Sequence, residues 1–382
     1  MDPIVRPPLG AVPLTGEGEA SSLARRGPSR RALASAGALF GVVAVAGVTW
    51  AKWYPYAGKL GKLWDTRAWA GWSILATGGV ATRSAPSWHA AWAFAVAYGQ
   101  DIWVALVAAI VIAAAMEALV PRERAASFFT RRSTLGGTLV AGLVAVPAMM
   151  CTCCSAPLTV TLKRSGVPTA SALGFWLGNP VLNPAVLAFL ALVAPWQWVV
   201  TRALVGAVLV LAVPTVVTRL VRAPTAPRTP SSAAAPFVPE AAGEPFDLRR
   251  APRRFLTAIG RLGITLVPEY FVVVLLIGAF RGWLMPLGAD TVHWGLLAVL
   301  VAAVAGVLIV IPTAGEIPIL LGLAAVGTSP AVLGALLIAL PAISLPSMAM
   351  VGRSLTWRVV GAAAVAVAVF ALAGAGLLSA LR

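Results

Sequence analysis

Residues 147–157 read PAMMCTCCSAP, in which Pro147 and Pro157 bracket Cys151, Thr152, Cys153 and Cys154. Proline has no backbone N–H and clashes with the preceding helical turn, so this pair argues against one continuous helix. Apolar residues run from 134 to Met150 before the motif, and a short segment continues behind it to Lys163-Arg164. If 134–150 crossed fully and 155–165 did not, Lys163, Arg164 and the arginine-rich linker would lie outside, against the rule that keeps basic loops in the cytoplasm. The stretch 134–165 therefore reads as a hairpin that enters a membrane, breaks at its centre and returns to its side of entry.

Working outward, the chain repeats itself. Shifted by 161 residues without a gap, Pro157 falls on Pro318, Gly166 on Gly327, Ala170 on Ala331 and Pro180 on Pro341, while Cys154 falls on Gly315. Each half reads as a span, an apolar run, a short segment starting near a proline, a Gly-marked turn, a span broken by proline and a final span. Basic residues give the orientation, because loops rich in Lys and Arg stay on the cytoplasmic side. If 134–165 returns to its side of entry, Arg122, Arg124, Arg131, Arg132, Lys163, Arg164, Arg353, Arg358 and the arginines of 249–254 all fall inside. The second hairpin, 293–327, then enters from the opposite face. Each half makes an odd number of crossings, so the halves are inverted. The expected fold is an all-α polytopic membrane protein of two inverted repeats, each with a broken or re-entrant helix hairpin, an architecture used by many secondary transporters.

Composition supports insertion. Of 382 residues, 59% are hydrophobic and 11% charged, against about 25% charged in soluble chains. Long apolar stretches recur at Ile102–Val120, Ala203–Val217, Val267–Phe280 and Val359–Leu381. The net charge of +16 would suggest nucleic acid in a soluble protein. Here the basic residues sit in short loops beside apolar spans, so no nucleic-acid partner is expected and the bilayer is. Residues 1–31 read as a disordered cytoplasmic tail. Residues 32–100 hold a first span (about 32–50) and a Trp-rich strip lying along the outer surface, since Trp favours the interface. Residues 101–221 form repeat one, 222–254 a cytoplasmic Pro/Ala-rich linker with no packed core, and 255–382 repeat two.

Three motifs carry chemistry. The thiols of Cys151, Cys153 and Cys154 admit two readings. They are soft ligands for Cu(I), Zn(II) or trivalent arsenic and antimony, or small buried residues at a helix contact. The second motif, Asn179-Pro180-Val181-Leu182-Asn183-Pro184, breaks a span. Pro184 frees the Pro180 carbonyl and Pro180 that of Trp176, and with two amides this makes a polar point lining the path. Glu316, in Pro312-Thr313-Ala314-Gly315-Glu316-Ile317-Pro318, is an ionisable group at membrane depth, which suggests function. It reads either as a proton carrier or as a carboxylate at a half-helix N-terminus. The substrate-binding candidates are thus Cys151, Cys153, Cys154, Asn179, Asn183 and Glu316, with breaks at Pro157, Pro180, Pro184, Pro318 and Pro341. Asp101 and Glu269 read as starting corresponding spans at the interface, and His89 and His293 as lying near the outer surface. No metal site, cofactor or enzymatic activity is expected, and homo-oligomerisation is left open.

The chain resembles a bacterial predicted-permease family that includes organoarsenical efflux permeases and YraQ-type proteins. Cys151-Thr152-Cys153 through Pro157, Lys163-Arg164-x-Gly166, Asn179-Pro180-x-x-Asn183-Pro184, Gly315-Glu316-Ile317-Pro318 and Leu340-Pro341-Ala342-Ile343-Ser344-Leu345-Pro346 carry the resemblance, over roughly 100–220 and 255–382. The family pattern usually has Cys-Ser-Cys-Gly before its proline, where this chain has Thr152 and Cys154. The resemblance implies a plasma-membrane permease and, for its best-understood members, export of trivalent organoarsenicals. A soft trivalent arsenical or related small solute is the expected substrate. No GxxxxGK[ST] motif is present, so an ion gradient or a separate ATPase would supply energy. The competing reading is a membrane thiol-disulfide oxidoreductase passing electrons across the bilayer. It usually needs a cysteine in each half, and all three cysteines here lie in the first.

Overall fold

The computed structural model describes residues 29–70, 85–130, 133–221, 247–284 and 295–381, excepting the side chains of 281–284. The described residues form fourteen α-helices and no strand. They are α1 (Arg30–Thr66), α2 (Trp88–Leu119), α3 (Arg122–Phe129), α4 (Thr134–Ala145), α5 (Thr152–Arg164), α6 (Thr169–Val181) and α7 (Pro184–Val193), followed by α8 (Trp196–Leu220), α9 (Ala251–Leu284), α10 (Leu296–Leu308), α11 (Glu316–Ala325), α12 (Pro330–Ala342), α13 (Leu345–Leu355) and α14 (Trp357–Ala380). Six apolar spans are long enough to cross a membrane, α6 and α7 together making one of them. A seventh comes from α12 and α13, bent by 50° at their junction. The expected all-α polytopic architecture is therefore present.

The 161-residue register holds helix by helix. Adding 161 to the bounds of α6 gives those of α12, and the same step carries α7 and α8 onto α13 and α14 to within a residue. The turns after α5 and α11 agree in conformation. Gly166 and Gly327 sit at φ +87° and +83°, left-handed values that glycine reaches without a Cβ penalty. The Val167 N–H donates to the Leu162 carbonyl, and the Thr328 N–H to that of Leu323, closing both helices with the same Schellman-type cap. Helix α2 packs on its mate α9, α6 on α12 and α8 on α14. Each of these helices thus contacts the helix that occupies its own place in the other half.

Packing follows membrane logic. Lipid tails are as apolar as leucine, so helices associate through close backbone approach and small residues. In α2 the inward positions are Ala105, Ala109, Ala113 and Ala114, while Trp103 and Val107 face outward. Between α12 and α14 the backbones of Gly334 and Gly374 touch. Glu117 of α2 pairs with Arg261 of α9, which satisfies two charges at the boundary between repeats.

Two expectations change. The helix of the first span does not end near 50. Helix α1 runs on to Thr66, loosened by a π turn at Thr49–Trp53. No residue ahead of Pro55 breaks the helix, and the wider turn accommodates the proline's missing N–H. Asp101 does not begin a span, because α2 starts at Trp88, where the Ser87 side chain accepts from the Ala90 N–H. Expectations for residues 1–28, Trp72, residues 222–246 and His293 fall outside the described residues.

A methyl added at Gly334 would come within 2.4 Å of the Gly374 carbonyl oxygen, whereas one at Gly376 meets nothing within 4 Å. Gly334→Ala should destabilise the folded protein by about 1–3 kcal/mol through overpacking, and Gly376→Ala should leave it unchanged. Thermal unfolding in detergent compares the two.

Candidate functional site

The first hairpin breaks just before α5. A short 3-10 turn, Val146–Ala148, ends at Met149, whose φ of +52° turns the chain. Cys151 follows in extended conformation as the N-cap of α5, and Cys153 and Cys154 lie in that helix's first turn. Residues two apart diverge on a helix. Because Cys151 stands outside the helix, its Sγ reaches both others, 3.0 Å from Cys153 and 3.1 Å from Cys154. All three sulfurs lie within 4.8 Å of one another and are buried. The Tyr98 hydroxyl stands 3.6 Å from the Cys153 sulfur. Trp176 donates through Nε1 to the Thr152 carbonyl at 3.2 Å, and Thr152 Oγ1 lies 3.1 Å from Ser344 Oγ. The tip of hairpin one thus rests on the break between α12 and α13.

The tip of hairpin two meets the repeat-related break between α6 and α7. Asn183 caps α7, its Oδ1 accepting from the Ala185 and Val186 N–H groups at 3.1 and 3.3 Å. Pro184 has no N–H for the Pro180 carbonyl, and the Ala185 N–H is diverted from that of Val181. Arg202, on α8 and 1% exposed, serves both. Its Nη2 donates to Pro180 O at 2.9 Å and its Nε to Val181 O at 3.3 Å. Its Nη1 donates to Glu316 Oε1 at 2.7 Å, the first residue of α11, where a carboxylate also meets the positive helix end.

Between the two tips lies a cavity of ≈ 10 Å³ touched by Cys151, Thr152, Thr313, Glu316 and Ser344, about the room one water needs. A wider vestibule of ≈ 580 Å³ shares Pro312, Thr313 and Ala314 with it and is walled by α1 and α2. Lys52, in the π turn of α1 and 6% exposed, donates to Thr313 Oγ1 at 3.1 Å and Tyr56 Oη at 3.2 Å. Trp53 of the same turn donates to the Pro147 carbonyl at 2.8 Å, so α1 is fixed to hairpin one as well.

Residues 87–379 match the family model described as predicted permease (ArsP_1). The chain belongs to this predicted-permease family. It is also 39% identical over 319 residues to the UPF0718 protein YraQ of Escherichia coli K12, covering 83% of this chain and 87% of that protein. No solved structure matches. The permease is accordingly a multi-pass protein of a bacterial inner membrane.

Of the residues singled out from sequence, Cys151 and Glu316 touch the central cavity. Cys153 and Cys154 stand directly behind Cys151. Asn179 and Asn183 are buried but do not line the cavity. Asn179 donates to the Phe175 carbonyl one helical turn back at 2.9 Å, and Asn183 is a cap. Pro180 and Pro184 flank a true break, and Pro341 precedes the one at Ser344. Pro157 and Pro318 instead lie inside α5 and α11, downstream of the breaks. Pro318 is in a first turn, where its missing N–H has no intrahelical partner to lose. Sequence reasoning missed Arg202, Lys52 and Tyr98, and gave Ser344 no role beyond its place in the Leu340–Pro346 motif. The first two carried a usable signal, a charge inside an apolar span.

Removing one partner of a buried ion pair leaves the other charge stranded, at about 3–5 kcal/mol. Arg202→Met and Glu316→Gln should each destabilise the permease by that order. The double variant should cost less than the two singles together. Unfolding midpoints across this double-mutant cycle measure the coupling, and strict additivity would show that the pair does not interact.

Proposed function

We propose that this permease is a secondary efflux transporter for a soft trivalent arsenical or related small solute, and that it transports rather than catalyses. The observation that carries the reading is the convergence of three buried sulfurs within 4.8 Å at a broken helix beside the central cavity. An organoarsenic(III) dihydroxide reacts with two thiols by forming two As–S bonds and breaking two As–O bonds. Two waters leave and arsenic stays trivalent, so no oxidant or reductant is required. Cys151 is the common partner, because it faces the cavity and touches both other sulfurs. The thiols sit on one tip and the Arg202–Glu316 pair on the other, so movement of one repeat against the other would alter the site from both sides. Inverted repeats with broken helices at mid-membrane work in this way, and the charge distribution favours that inversion here.

Thiol-disulfide exchange is the weaker alternative. Cys151, Cys153 and Cys154 are 5%, 1% and 0% exposed as residues, and exchange needs an accessible sulfur for the partner's thiolate.

Cys151→Ser combined with Cys153→Ser should abolish uptake of phenylarsonous acid into everted vesicles while the protein remains inserted and monodisperse. Undiminished uptake would return these residues to packing. Reporter fusions should place the N-terminus and the 222–254 linker in the cytoplasm and the C-terminus outside. A linker found outside would remove the inverted topology.

A further inference from the structure

The helix that carries Lys52 precedes the part of the chain matching the family, residues 87–379. Helix α1 nevertheless reaches the centre of the permease core. Its C-terminal third packs on α7, whereas the repeat mate α13 packs on α9. This asymmetric insertion places Lys52 in the wall of the vestibule, from where it donates to Thr313, a residue that lines both the vestibule and the thiol cavity.

The charges around the site do not cancel. Glu316 is answered by Arg202 at 2.7 Å. Lys59 stacks 3.7 Å from the centroid of the Trp69 ring and shares the vestibule with the Asp101 carboxylate. Among the described residues no carboxylate lies within ion-pair distance of Lys52 or of Lys59, but Lys59 is only half-buried whereas Lys52 is buried. Its two hydrogen-bond partners are neutral hydroxyls, and an ammonium has three protons to donate. A buried cation is costly unless an anion answers it. A thiolate of the cluster could do so while the site is empty. When one thiolate and one thiol bind an organoarsenic(III) dihydroxide, one water and one hydroxide leave, the bound product is neutral, and the lysine no longer has that counter-ion.

We propose that Lys52 is an anion-recognition residue of this site, and that the solute carried by this chain joins a thiophilic centre to an anionic group such as a carboxylate or sulfonate. This rests on the thiol reading above and narrows it. The sulfurs take the soft centre, and the lysine, delivered by a helix outside the family core, selects what is attached to it. The π turn that presents Lys52 fits this role, since such turns recur at functional sites.

The test uses the full-length permease in nanodiscs and two matched probes, phenylarsonous acid and 4-carboxyphenylarsonous acid, with binding followed by calorimetry. The wild type should hold the carboxylated probe about tenfold tighter or more, as a charge-assisted hydrogen bond implies. Lys52→Met should erase the preference, and Lys52→Arg should keep most of it. Equal affinities in the wild type would overturn the proposal and leave the thiol site standing. So would a preference that survives Lys52→Met. Binding of neither probe would overturn the thiol site and this proposal together. The wild-type comparison needs no variant, so it decides the matter even if Lys52→Met fails to insert.

Discussion

Arg202 donates to the Glu316 carboxylate across the boundary between repeats and to two main-chain carbonyls deprived of their helical partners. Backbone polar groups cannot be left open in a bilayer, because no water is there to bond them and each open group costs several kcal/mol. The break after α6 creates such groups by its own sequence. Pro184 has no N–H for the Pro180 carbonyl, and the Asn183 cap takes the N–H that Val181 would have used. A broken span is therefore tenable only with a donor of several hydrogens nearby. The rigid guanidinium fork provides it, and Glu316 makes the buried cation affordable in turn.

That arrangement ties the fold to the site. Because Glu316 opens α11, the same contact fixes how far hairpin two enters the core. The repeat-related junction uses a lighter device. Thr152, the mate of Thr313, meets Ser344, the mate of Asn183, through two hydroxyls. Ser344 and Ser347 then satisfy the start of α13 between themselves. One repeat unit has thus been furnished twice, once with charge and once with hydroxyls, and the thiols stand on the hydroxyl side.

Much of this was legible in sequence because membranes impose coarse rules. Span length, charge asymmetry and proline spacing gave the helices, the 161-residue register and the breaks near Cys151, Asn183, Glu316 and Ser344. The convergence of Cys151 with Cys153 was not legible, because it depends on a left-handed residue at Met149 that no local motif demands. The cap role of Asn183 could be read as polar, but whether its side chain faced the path or its own backbone is a matter of rotamer. Arg202 and Lys52 escaped for another reason. The positive-inside rule treats basic residues as markers of loops, and these two lie within helices, where they answer the needs of segments more than a hundred residues away in one case and more than two hundred in the other.

The two junctions are unequal in what separating them costs. A hydroxyl–hydroxyl bond contributes about 0.5–1.5 kcal/mol net, and each hydroxyl can rotate to another acceptor. Pulling Glu316 away from Arg202 would strand two buried charges, at several kcal/mol, while Arg202 keeps the Pro180 and Val181 carbonyls of its own repeat. Relative motion of the repeats would therefore yield first at Thr152 and Ser344, beside the sulfurs, while the charged junction keeps hairpin two in register with α8. Lys52 and Trp53 add a third constraint. One turn of α1 grips Thr313 on the second hairpin and the Pro147 carbonyl on the first, so any opening between the tips must also displace the helix that precedes the family core.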